Sequence, residues 1–130
     1  MHKQIMALFG EAEKGDFRQA YRCESLPQLI DNLGHPPATS QGLHLAIQAL
    51  MYHHTLLFFR VREEGYSTQD YYYGLRLLKD LDQVSDLCAL CMPGVGDTGI
   101  IQASSAVCIL RHSILITSEK DLYDYLTHEK

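Results

Sequence analysis

The sequence predicts an α/β fold: a mostly parallel sheet of about four or five strands between two layers of helices. Short apolar runs rich in branched and aromatic residues recur at residues 5–9, 54–61, 87–92 and 113–117. Segments of helical periodicity separate these runs. Because parallel strands need such long crossover connections, we expect the whole chain, 1–130, to form one three-layer α/β sandwich.

The N-terminal third predicts a buried strand, an edge strand and a helix. Ile5–Phe9 is apolar throughout, and Phe17–Cys23 alternates in the manner of an edge strand. Ser25 and Gln28 have the spacing of a capping box at the start of a helix, and Gly34 ends that helix.

The middle of the chain predicts two helices around a central strand. Ser40–Tyr52 has the apolar spacing of a helix, and His54–Val61 is short, aromatic and branched. Ser67 and Asp70 form a second capping-box pattern, which begins a helix that runs to about Leu81.

The C-terminal third alternates strand and helix twice. Strands are expected at Leu87–Met92 and Ser113–Thr117, with a helix over residues 97–112 between them. A last helix is expected over residues 118–127, opened by a third capping box.

Composition and charge exclude several classes of protein. The 130 residues are 46% hydrophobic, which suffices for a core and is too apolar for a disordered chain. Lys and Arg number 11 against 16 Asp and Glu, so the net charge of −5 argues against nucleic-acid binding through a broad basic surface.

The sequence also predicts a cytoplasmic location. The first apolar run, Ile5–Phe9, is too short for a signal peptide, and the longest uncharged stretch, 35–59, is too polar to span a membrane. The chain has four cysteines, which are expected to be reduced and mostly buried. They are Cys23, Cys88, Cys91 and Cys108. Residues three apart on a strand face opposite sides, so Cys88 and Cys91 are not expected to pair.

Five carboxylates are predicted to follow the carboxyl ends of strands: Glu11, Glu63, Asp97, Glu119 and Asp121. Four of them are the candidate metal ligands: Glu11, Asp97, Glu119 and Asp121. Open parallel sheets bind ligands at this edge, and grouped carboxylates bind Mg²⁺ or Mn²⁺. A structural alternative stays open, in which Asp97 only caps a helix and Asp121 only closes a capping box.

Residues 97–126 resemble the C-terminal part of PIN-domain ribonucleases. That family has an Asp at the start of a helix rich in small residues, then a short strand, then Thr-x-Asp-x-Asp-Phe. The corresponding residues here are Asp97 and the run Thr117–Leu122, while Gly10-Glu11 stands where the family has a first-strand Asp. The resemblance implies a nucleic-acid substrate and phosphodiester cleavage by Mg²⁺ or Mn²⁺ held on three carboxylates: Asp97, Glu119 and Asp121.

A glycine-containing turn precedes one of the predicted helices. Gly94, Gly96 and Thr98 lie between a strand and a helix N-terminus, where backbone N–H groups can bind a phosphate. Asp97 within the same turn would repel that phosphate, so anion binding and simple helix capping are both open.

Three consecutive tyrosines predict a contact surface. Tyr71, Tyr72 and Tyr73 span about 200° around a helix, so they cannot all face the core. Tyrosine is enriched at interfaces, although an exposed ring can also lie flat on the surface.

No motif in the sequence identifies an activity, and two hypotheses follow. The first is a small cytoplasmic protein-interaction or regulatory module that binds a protein partner or a second copy of itself. The alternative is a phosphodiesterase or nuclease that depends on Mg²⁺ or Mn²⁺. We favour the first, because both the acidic charge and the missing first-strand Asp count against the second.

Overall fold

The computed structural model describes residues 4–80 and 86–128. Five strands and five helices lie in the described residues, in this order along the chain: β1 (Ile5–Gly10), β2 (Ala20–Cys23), α1 (Leu26–Leu33), α2 (Gly42–Met51), β3 (Thr55–Arg60), α3 (Thr68–Asp80), β4 (Leu87–Cys91), α4 (Thr98–Arg111), β5 (Ile114–Ile116) and α5 (Glu119–His128). Leu81, the expected end of the third helix, lies outside the described residues.

The five strands form one sheet in the order β2-β3-β1-β4-β5. β1 lies at its centre, parallel to both β3 and β4, and β5 is parallel to β4. β2 is antiparallel to β3 and forms one edge. The predicted α/β class and the mostly parallel sheet are therefore confirmed.

Helices cover both faces of this sheet. α1, α2 and α5 contribute to the core cluster on one face, and α3 and α4 contribute to the cluster on the other. Successive residues of β1 point to alternate clusters: Met6 and Leu8 to the first, Ala7 and Phe9 to the second. A strand buried on both faces reads as a continuous apolar run, which is why Ile5–Phe9 was recognisable in the sequence.

The predicted edge strand begins later than expected. β2 starts at Ala20 rather than at Phe17. The Phe17 ring instead lies against two guanidinium groups. Its centroid is 4.3 Å from Cζ of Arg60 and 4.2 Å from Cζ of Arg62. These contacts take Phe17 out of the strand.

The serine caps of the first and third predicted capping boxes form, although Gln28 Oε1 of the first accepts from the N–H of Glu24 rather than that of Ser25, and the second predicted box is wrong. In the first, the N–H of Gln28 donates to Ser25 Oγ at 3.4 Å, and in the third the N–H of Asp121 donates to Ser118 Oγ at 3.2 Å. In the second, the Asp70 carboxylate does not reach back to Ser67. It accepts hydrogen bonds from Arg62 instead.

Stacked aromatic rings fix α3 against the sheet. Phe9 on the central strand stacks on Phe59 with centroids 4.6 Å apart and on Tyr71 with centroids 5.4 Å apart. Gly74 lets the helix approach this closely, because a Cβ there would lie against the Phe9 ring and 2.9 Å from Cδ2 of Phe59. The register of α3 on the sheet therefore depends on a residue without a side chain.

Replacing Gly74 by alanine should destabilise the protein, although alanine normally favours a helix over glycine by about 0.5–1 kcal/mol. The added methyl group has no space beside Phe9, so we expect the free energy of unfolding to fall by about 1–3 kcal/mol. Urea unfolding measures this change. Gly96→Ala is the control, since no atom lies within 4 Å of a Cβ at Gly96. Equal stability of the Gly74→Ala variant and the parent chain would contradict the packing described.

Candidate functional site

The usual ligand position in this topology is the crevice between the carboxyl ends of β1 and β4. After β1 the chain continues to β2 and β3, which lie on one side of this crevice. After β4 it continues to β5, which lies on the other side. Open α/β sheets bind ligands where connections diverge in this way. Glu11 follows β1 at this point, and residues 93–97 follow β4.

The segment that follows β3 covers this crevice. Gly65, with a φ of +87°, lies so close to the loop after β4 that a Cβ on it would be 2.5 Å from the carbonyl oxygen of Gly94. The N–H of Gly65 donates to the buried hydroxyl of Tyr71 at 2.7 Å. Because β1 lies between β3 and β4, this segment passes over the end of the central strand.

The Glu64 carboxylate lies at the same edge of the sheet, where its two oxygens accept hydrogen bonds from backbone N–H groups. Its Oε1 accepts from the N–H of Gln41 at 2.9 Å, and its Oε2 accepts from Gly42 at 2.8 Å and from Glu11 at 2.9 Å. Gln41, the N-cap of α2, makes no capping bond through its own side chain. A carboxylate from a distant loop therefore satisfies the N-terminus of α2, where the helix dipole favours an anion.

The structure does not assemble the predicted metal site. Glu11 accepts from the N–H of Glu64 at 2.9 Å, and the Asp97 carboxylate caps α4 by accepting from Ile100 at 2.9 Å. Across residues 4–80 and 86–128, no three His, Cys, Asp or Glu side chains are grouped to hold a metal ion.

The four carboxylates follow three different strands. β4 lies between β1 and β5, so residues that follow β1 and β5 begin about 10 Å apart. Glu119 lines a separate pocket of about 520 Å³ beside Met51 and Tyr52. Asp121, two residues further along, lies in the first turn of α5.

The predicted anion-binding turn is also occupied by groups of the protein itself. The N–H of Gly94 donates to the carbonyl of Thr117 at 3.2 Å, and Asp97 covers the start of α4. Gly96 and Thr98 are exposed. Phosphate binding at Gly94, Gly96 and Thr98 stays a prediction, and Asp97 acts there as the helix cap that the alternative anticipated.

The three consecutive tyrosines have different environments. Tyr71 is fully buried, so the interface prediction does not hold for it. Tyr72 is 39% exposed and Tyr73 is half-buried. Both line an open pocket of about 390 Å³, together with Asp70 and three arginines, which we call the arginine pocket: Arg18, Arg62 and Arg76.

A buried carboxylate orients one of these arginines. Arg62 Nη1 donates to Asp70 Oδ1 at 2.6 Å, and the Arg62 N–H donates to Oδ2 at 2.9 Å. The Asp70 side chain is 5% exposed and that of Arg62 is 59% exposed. With the Phe17 ring 4.2 Å away, the Arg62 guanidinium is held in place although the side chain stays largely exposed.

A second pocket continues the first along α3. It has a volume of about 280 Å³ and shares Tyr72 and Arg76 with the arginine pocket. Lys79 and four apolar residues also line it: Leu75, Ala103, Ala106 and Val107. We call the two pockets together the α3 groove.

The α3 groove has the opposite charge to the chain as a whole. The chain carries −5, yet the arginine pocket has three arginines and a single carboxylate, and Arg18 also lies over the Tyr73 ring at 5.8 Å. Sequence reasoning missed this site. The signal was the stripe Gln69, Tyr72, Arg76 and Lys79, at spacings that place all four on one helix face.

The Cys88–Cys91 pair differs from its expected geometry. Both side chains contact the same core cluster rather than opposite faces of the sheet. The pairing of β1 with β4 shifts at this point, from Ile5 opposite Leu87 to Met6 opposite Ala89, which leaves Cys88 as an extra residue. Cys23, Cys91 and Cys108 are free thiols.

Replacing Glu64 by glutamine should lower the free energy of unfolding by about 1–3 kcal/mol, because three backbone N–H groups lose a charged acceptor. Glu63→Gln is a matched control: Glu63 is adjacent, exposed and changes the net charge equally. Urea unfolding of the two variants measures the difference. Equal stability of the two variants would show that the Glu64 carboxylate does not hold the edge together.

The buried thiols should resist alkylation at pH 8. Burial, and then the charge of Glu64, raise the pKa of the Cys91 thiol to about 12, and burial also raises the pKa of Cys23 and Cys108. A raised pKa keeps these thiols protonated at pH 8, whereas an unfolded cysteine has a pKa of about 8.5. Mass spectrometry after iodoacetamide should find all three modified only in urea. If iodoacetamide modified Cys91 in the native protein as fast as it does in urea, this result would contradict the burial of Cys91.

Comparison of the chain with models of protein families, with curated proteins and with solved structures found no match. The resemblance to PIN-domain ribonucleases is therefore still a prediction. No helix within the described ranges is both long and apolar enough to cross a bilayer.

Proposed function

We propose that the chain is a cytoplasmic protein-interaction module that binds an extended anionic segment of a partner protein in the α3 groove. One observation carries the proposal: an acidic chain concentrates Arg18, Arg62 and Arg76 in a single concave site. Such local complementarity steers an anionic partner to one surface and repels it from the rest.

The dimensions of the groove suit a short stretch of extended chain. Its outer helix face, from Gln69 to Lys79, is about 15 Å long at the rise of an α-helix. An extended peptide covers that length with about four or five residues. Arg18 and Arg62 lie at one end and Ala103 and Val107 at the other, which favours an acidic residue followed about four positions later by an apolar one.

Tyr72 and Arg76 are the expected centre of the interface. Both residues line both pockets of the groove, so a segment that fills the two pockets would contact both of them. Tyrosine and arginine are enriched among the residues that contribute most to binding energy. Tyr72 and Tyr73 thus belong to the proposed interface, as the sequence predicts. Tyr71 does not, and the arginines of the pocket belong to it instead.

The free thiols support the cytoplasmic part of the proposal. Cys23, Cys91 and Cys108 are free thiols. Thiols persist in this state in reducing compartments.

Selection from a displayed library of random peptides tests the proposal. The chain should enrich peptides with an acidic residue followed about four positions later by an apolar one. Tyr72→Ala should weaken binding of the enriched peptides about tenfold, because it removes the central ring. Tyr66→Ala is the control, since Tyr66 is 72% exposed and outside the groove.

Three results would contradict the proposal. The first is enrichment of peptides without acidic residues, and the second is a loss of binding in Tyr66→Ala as large as in Tyr72→Ala. The third is a dimer in light scattering that Tyr72→Ala dissociates, which would mean that a second copy of the chain occupies the groove. Circular dichroism of each variant verifies that it folds.

A further inference from the structure

We infer that the arginine pocket is a phosphate site, which binds a phosphorylated side chain of the partner segment. The inference rests on the proposed function and specifies the anion that the groove recognises. It is argued from the charge, the hydrogen-bond donors and the size of the pocket.

The charge left in the pocket matches a phosphate. Arg62 and Asp70 neutralise each other through the bond of 2.6 Å between them. Within the described residues, neither Arg18 nor Arg76 forms an ion pair, so two positive charges are left. A carboxylate would compensate one of them, whereas a phosphate monoester carries about −1.5 to −2 at pH 7.

The donors of the pocket suit the three outer oxygens of a phosphate monoester. A guanidinium has five N–H donors in a planar fork, and Arg62 gives only one of its side-chain N–H groups to Asp70. Arg18 and Arg76 also line the pocket and add two more forks. Charge-assisted bonds from several guanidinium groups are the usual way in which proteins bind phosphate.

Part of the site is ordered before any ligand arrives. Asp70 is buried, and it holds Arg62 by two hydrogen bonds while the Phe17 ring lies 4.2 Å from the guanidinium. A pre-ordered arginine loses less conformational entropy on binding. The volume of about 390 Å³ falls in the range of small-molecule sites, so it admits a phosphate and the side chain that carries it.

Binding of one peptide in three versions tests the inference. The frame is a nine-residue peptide of glycine and alanine, with leucine four positions after a variable residue that is phosphoserine, glutamate or serine. Isothermal titration calorimetry should give an affinity about tenfold higher for phosphoserine than for glutamate, and weaker binding still for serine. Inorganic phosphate should compete with the phosphoserine peptide and bind more weakly on its own.

Two variants with equal changes of charge locate the effect. Arg76→Gln should reduce the preference for phosphoserine over glutamate to about twofold or less, because it removes one of the two uncompensated charges. Arg22→Gln should leave the preference unchanged, since Arg22 lies on β2, outside the pocket, and pairs with Glu24. An equal loss of preference in both variants would overturn the inference.

The outcomes separate this inference from the proposed function. Equal binding of the phosphoserine and glutamate peptides would overturn the phosphate site and leave the proposed function standing. Inorganic phosphate that binds as tightly as the phosphoserine peptide would overturn the peptide as the occupant. No binding of any version would contradict both.

Discussion

The arrangement of the molecule depends on the hydrogen bonds that the Glu64 carboxylate accepts. This carboxylate accepts hydrogen bonds from the chain after β1 and from the first turn of α2, and so joins the central strand to a helix of one face. Gly65 lies against Gly94 after β4. The crevice in which doubly wound sheets usually bind ligands is thereby filled by the protein's own chain, and the concave surface with uncompensated charge lies elsewhere, on the outer face of α3.

The same short segment shapes both the filled crevice and the arginine pocket. Arg62 and Asp70 lie on either side of Glu64 and Gly65 in the sequence, and their ion pair ties the end of β3 to the first turns of α3. The next residue, Tyr71, anchors this segment from within the core through its hydroxyl. Tyr72 lines the groove, so adjacent tyrosines lie in the core and at the groove.

Local patterns predicted most of the secondary structure, whereas contacts between distant residues decided the site. The apolar run of β1, the Ser25 cap and the Asp97 cap all depend on neighbours within a few residues. Asp70 has the spacing of a capping box, but Arg62, eight residues earlier, binds its carboxylate instead, because that hydrogen bond is charge-assisted and Asp70 is buried. The three acceptor bonds of Glu64 span from 22 to 53 residues, a distance over which periodicity carries no information.

The central claim, that recognition takes place at α3 and not at the crevice, is tested most directly by NMR during titration with the phosphoserine peptide. We predict that the largest chemical-shift changes occur at the side-chain Nε–H groups of Arg62 and Arg76 and at the Tyr72 ring. The backbone amides of Glu11 and Gly42 should stay unchanged, because Glu64 continues to hold them. The largest changes at Glu11 and Gly42 would show that the ligand displaces the Glu64 carboxylate, and would contradict the account.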